Sequence, residues 1–129
     1  MVDLSTRNAE RIAAPPLAPV NIAIDLVHLS RMSLGERELE REVLVLFDHQ
    51  AGMLLTRMRG VGRAEIAAFA HTLKGSARGI GAWSVAEAAE GMERAASDAS
   101  DAVLARAFDR LEATIQEVQA EIRWLVETH

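Results

Sequence analysis

The chain has 129 residues, half of them hydrophobic, 26% charged and only 4% aromatic, and its 14 Lys+Arg against 19 Asp+Glu give a formal net charge of −5. That length predicts one domain with a proper core and leaves no room for a nucleotide-binding domain beside a substrate domain. With no cysteine, disulfides, zinc–thiolate sites and thiol nucleophiles are excluded, and an acidic balance with few aromatics argues against nucleic acid as a partner.

Residues 1–20 read as a flexible tail, because Pro15, Pro16 and Pro19 are all the prolines there are and proline removes backbone donors. Met1–Glu10 is polar with both charge signs, unlike a secretion signal. The longest strongly apolar run, Val43–Phe47, is too short to span a bilayer. A cytoplasmic protein that engages no membrane is the expectation.

From residue 21 to 129 the alanine-, leucine- and glutamate-rich sequence reads as helix. A short helix is expected over Ile22–Arg31. Ser33-Leu34-Gly35-Glu36 has the form of a capping box and is expected to open a long helix through about Arg57, with Leu39, Val43, Leu46, Gln50, Met53 or Leu54, and Arg57 along its core face. Gly60-Val61-Gly62 ends it. A third helix is expected from about Arg63 to Arg78, stopped by Gly79-Ile80-Gly81. Ser84-Val85-Ala86-Glu87 is a second capping-box pattern before a helix to about Ala96 that faces the core with Val85, Ala89, Met92 and Ala96. After the turn Ser97–Ser100, a last helix carries Leu104, Phe108, Leu111, Ile115, Val118, Ile122 and Leu125 at alternating four- and three-residue steps. The fold class expected is all-α: an antiparallel up-down four-helix bundle with an additional short N-terminal helix.

The third helix carries the chemistry. At about 100° per residue, Ala64, Ala67, Ala68, Lys74, Gly75 and Arg78 lie within about 60° of His71, while Ile66, Phe69, Leu73, Ser76 and Ile80 point to the other side. The imidazole is therefore expected to face water amid small side chains and two cations. Solvated helix faces normally carry long polar residues, and a helical glycine costs about 1 kcal/mol relative to alanine. Gly75, one turn beyond His71, suggests that another body comes close to the ring. Lys74 and Arg78 could hold an anion there. A neutral imidazole is a competent nucleophile near neutral pH.

The segment His71-Thr72-Leu73-Lys74-Gly75-Ser76, with Gly81-Ala82 beyond it, resembles the signature of histidine-containing phosphotransfer (HPt) domains. The likeness extends to Ile24-Asp25-Leu26, to the helix containing Leu46-Phe47, and to the alanine-rich helix before the Ser97–Asp101 turn, covering roughly residues 22–126. The resemblance implies a four-helix bundle that relays phosphoryl groups between aspartates of receiver domains in two-component phosphorelays. It implies phosphorylation of His71 on Nε2, Lys74 near the phosphoryl oxygens, Gly75 leaving room for the receiver, and Ser76 packed inward. It implies no ATP site and no intrinsic cofactor, the receiver bringing the aspartate and its Mg²⁺. Partners would be response-regulator receiver domains and a (hybrid) sensor histidine kinase, the protein itself being a bacterial monomer.

The main rival is a phosphorylation-independent helical adaptor or anti-kinase module. The phosphoacceptor helix of a histidine kinase would carry an acidic residue straight after the histidine and a proline soon after; Thr72 follows here, and no proline does. His28, His49 and His129 have no ligand-pair spacing with His71, which disfavours a metal site, and they read as incidental. Trp83 and Trp124 read as core or end-cap aromatics. Val45 and Leu55, with Leu44 and Met58 at the border, lie off the expected core face of the second helix. They could join Ala64, Ala67 and Ala68 as an apolar docking rim, or pack under the N-terminal helix.

Overall fold

A computed structural model describes residues 23–128. The proline-rich tail and His129 lie outside the described residues. The order of elements is α1 (Leu26–Met32), α2 (Arg37–Met58), α3 (Arg63–Ile80), α4 (Trp83–Asp98) and α5 (Asp101–Thr128); the described residues contain no strand. α3 packs on α4, α4 on α5, and α2 on both α3 and α5, so the four long helices close a ring, with α1 against α3. Among the described residues, no helix is long and apolar enough to cross a membrane.

The expected core stripes of α3, α4 and α5 largely converge. Ile66, Leu73 and Ile80 are buried with Val85, Ala89, Met92 and Ala96 and with Leu111, Ile115, Val118, Ile122 and Leu125, each large side chain contributing about 1.5–3 kcal/mol on full burial. Phe69, Leu104, Phe108 and Trp124 pack against this core from half-buried positions.

α2 is turned by about 100°, one residue's rotation, from the expected face. It buries Leu44, Phe47, Ala51, Leu54 and Met58. Leu39, Leu46 and Met53 are exposed and Val43 is half-buried. The helix carries two apolar stripes, and the ring chose the one free of Gln50 and Arg57.

Neither capping box forms. The N-cap residues of α2 and α4 are Glu36 and Ala82, neither making a side-chain cap hydrogen bond. Ser33 instead ends α1, its hydroxyl donating to the Ser30 carbonyl and to Glu40 Oε2. Leu34 (φ 56°) and Gly35 (φ 78°) then reverse the chain through left-handed conformations, with Leu34 N donating to Arg31 O and Gly35 N to Ser30 O. This is the Schellman pattern of helix ends, which occupies Ser33 in stopping a helix rather than starting one. α3 ends the same way: Ala82 N donates to Ala77 O and Gly81 N to Arg78 O, around Gly81 at φ 83°. Ser100 does cap α5, its hydroxyl accepting from Val103 N.

Two clips hold the N-terminal stretch to the ring. Glu121, only 4% exposed, accepts the backbone N–H groups of Ala23 and Ile24 at 2.7 and 3.2 Å. Asp25 caps α1 through His28 N, accepts Trp83 Nε1–H, and donates its own N–H to Gly81 O. The His28 N–H bond first, and then that from Trp83, hold its carboxyl below the usual range. His28 is not incidental: Nε2 bonds the Gly79 carbonyl at 3.0 Å and the ring meets Trp83 edge-on. Trp83 is thus an end-cap aromatic.

Gly81→Ala should cost about 2 kcal/mol or more in denaturant unfolding, because the left-handed φ disfavours a side chain and the added Cβ would lie 3.0 Å from Asp25 Cβ and O. Leu34→Gly should do the opposite, raising stability by about 1 kcal/mol, since Leu34 is exposed and leaves no contact behind.

Candidate functional site

α3 holds His71 outward, with 68% of its side chain exposed. α4 supplies what the sequence reading missed. Glu93 Oε2 lies 3.1 Å from His71 Nδ1, and Glu93 Oε1 lies 3.0 Å from Lys74 Nζ. One carboxylate thereby spans two side chains one helical turn apart. The hydrogen bond from Lys74, and after it that from His71, holds the Glu93 carboxyl below the ordinary range. The bridge therefore forms fully above the ordinary glutamate range and is lost only as pH falls through the lowered value. Such partly exposed pairs contribute less than about 1 kcal/mol to folding, so the effect of the bridge is positional. An ionised carboxylate can only accept. In the unprotonated imidazole the proton is thus on Nδ1, and the lone pair is on Nε2.

Lys74 does not stand free in water as its helical angle suggested. Its side chain is 15% exposed, its stem lying toward α4 with the ammonium at the edge. Arg78 is exposed but faces Glu90 at 3.9 Å, and Arg94 approaches the same carboxylate at 3.9 Å. Both cations beside His71 are matched by carboxylates of α4. Only the packing of α3 on α4 brings these together; a signal lay in the two glutamates, Glu90 and Glu93, on the polar side of the following helix.

The small residues are placed as follows. A Cβ added at Gly75 would meet nothing within 4 Å, so the helix surface beside His71 is open, and relief of crowding does not explain this glycine. Ala64 and Ala68 are exposed. Ala67 is half-buried against the core rather than outward. Ser76 is half-buried, lining a groove of about 450 Å³ with Val43, Leu46, Phe47, Gln50 and Ile80.

That groove corrects the expected docking rim. Leu44 and Met58 are buried, Leu55 is half-buried against the core, and Val45 lines a different groove with Arg41 and Val126. The most exposed apolar residues of α2 are instead Leu46 (68% exposed) and Met53 (47%); Leu46 was expected on the core face, and of the alternatives Met53 or Leu54 it is Leu54 that is buried. Among the described residues there is no group of three or more His, Asp or Glu that could hold a metal ion.

The model of the Hpt domain family matches residues 42–121, more than half of the chain. The chain therefore belongs to the Hpt domain family, whose members act in histidine phosphotransfer in two-component signalling and interact with receiver domains and kinases. The match runs from within α2 to most of the way along α5 and leaves α1 outside. No curated protein and no solved structure matches the chain.

The bridge has a spectroscopic consequence. In ¹⁵N spectra of the unprotonated ring, His71 should be the Nδ1–H tautomer. Glu93→Ala should shift it toward the Nε2–H form without changing the helical circular dichroism. An unchanged tautomer ratio would show that Glu93 does not fix the ring.

Proposed function

We propose that this protein is a phosphorelay intermediate in which His71 takes a phosphoryl group from the aspartate of one receiver domain and passes it to that of another. The observation that carries the reading is the His71 ring, held at Nδ1 by Glu93 and left with its lone pair on Nε2, on the helix that bears the family signature. The Nε2 lone pair forms the new bond to phosphorus while the bond from phosphorus to the aspartyl oxygen breaks, its electron pair leaving on the aspartate carboxylate. The ring becomes cationic as the N–P bond forms, and the Glu93 carboxylate faces that charge at Nδ1–H. Lys74 exchanges part of its bond to Glu93 for a phosphoryl oxygen, and Arg78 adds a second cation at longer range. Catalysis is then mainly positioning and charge neutralisation. The receiver supplies the acceptor carboxylate and a Mg²⁺ that neutralises phosphoryl charge; no cofactor is intrinsic, and no ATP is used.

Docking of the receiver falls to the open surface around Gly75, Ala64 and Ala68, and to the apolar α2 face of Leu46 and Met53. The bundle is of the antiparallel up-down type, α2 to α5 alternating in direction across short links. The transferring species is the single chain, and its setting is the cytoplasm of a bacterium, downstream of a (hybrid) sensor histidine kinase.

Incubation with a phosphorylated receiver should place acid-labile, base-stable label on the protein. His71→Gln should abolish it; undiminished label in that variant would falsify the reading, and receiver binding without label on the unaltered protein would make it an adaptor. Lys74→Ala should slow transfer about tenfold, the loss of one charge-assisted contact worth about 1.4 kcal/mol. An equal rate would remove Lys74 from the mechanism.

A further inference from the structure

Among the described residues, no helix packs on the outer stripe of α2. Leu39, Val43, Leu46, Gln50, Met53 and Arg57 recur at alternating steps of four and three, the spacing of a helix–helix seam. Exposure follows that seam: Leu39, Leu46 and Met53 are the exposed apolar residues of α2 other than Val45. Leu46, the most exposed of them, borders the groove that contains Gln50 and Ser76. A knob next to its own hole is the arrangement a two-fold pairing requires, since each copy then gives and receives the same contact.

The charges select the occupant and its direction. Along the seam, the start of α2 carries Glu36 and Glu42 and its end carries Arg57; Arg37 and Arg41 lie off it, lining grooves beside Val126 of α5. Laid antiparallel on a second α2 about the level of Asp48, the seam sets Leu46 against Gln50, Val43 against Met53, and Leu39 against Arg57. The incoming Arg57 then falls between Glu36 and Glu42, which flank Leu39 on the seam. None of these three is in an ion pair among the described residues. A parallel pairing would put the glutamates against each other.

We propose that α2 pairs antiparallel with α2 of a second copy of this chain, giving a resting dimer that covers the groove between α2 and the histidine helix. One helix face per partner is less than the roughly 800 Å² of a standard stable interface, so the dimer exchanges readily and gives way to a receiver. The regulatory consequence rests on receivers docking at that face; the pairing does not.

Sedimentation equilibrium of the protein alone, from micromolar to millimolar concentration, tests the pairing. The mass should rise with concentration from 14.0 kDa toward twice that value. Leu46→Asp should weaken association at least tenfold, and it should fold normally because Leu46 is exposed. Arg57→Glu should weaken it too, and adding Glu42→Arg to Arg57→Glu should restore it. A single 14.0 kDa species at every concentration, or association indifferent to Leu46→Asp, would overturn the proposal. The measurement uses neither receiver nor label, so failure of the phosphotransfer reading leaves it standing, and its own failure leaves phosphotransfer standing.

Discussion

The packing of α3 on α4 is the contact on which the site depends. It is the most extensive helix pair in the fold, and small residues line it: Ala70 and Ala77 from one helix, Ala89 and Ala96 from the other, all buried. Interaxial distance is set by the side chains at the contact, and alanines allow the close end of the range. A glutamate on α4 can then reach across to both His71 and Lys74. Gly81 fixes the angle between the helices by turning the chain within a residue of α3's end, and Arg63 fixes the far end. The Arg63 guanidinium donates to the Ala95 and Ala99 carbonyls and to Asp101 at 3.3, 2.8 and 2.7 Å, tying the start of α3 to the end of α4. Pinned at both ends, the two helices hold the ring and its carboxylate in register.

What the sequence made legible followed from local pattern. The helix breaks fell where Gly62 and Gly81 lie, and the stripes of α4 and α5 have only one apolar side each, so periodicity identified their cores. His71 was found because its surroundings, Ala68 and Gly75, are wrong for ordinary surface. The α2 core was not legible because that helix has two candidate faces, and a moment calculated along one helix says nothing about where its neighbours stand. The Ser33 box failed for a related reason: the same serine can stop one helix or start the next, and the backbone hydrogen bonds of Leu34 and Gly35 decide which. Glu93 was out of reach because its role exists only across the α3–α4 interface, 22 residues from His71 in sequence.

The α2 error and the α2 surface are one physical fact. A helix that is apolar on a single stripe needs only its own core, whereas Leu46 and Met53 keep apolar area in water at a standing cost of about 25 cal/mol per Å². Covering that area is what the proposed pairing of α2 would gain, and the helical spacing of these residues suits a helix as the docking body.

The polar clips at Glu121 and Asp25 have a dynamic consequence. α1 buries only Leu29 along its seven residues, with Ile24 just ahead of it, so hydrogen bonds more than apolar area hold it to the ring. Its opening free energy is accordingly well below that of the bundle. In amide exchange α1 should therefore behave as a separate unit, releasing its protons while α3 and α4 stay closed. Opening of that seven-residue segment would leave the helix that bears His71 in place, because α1 is no part of the ring that α2 to α5 close.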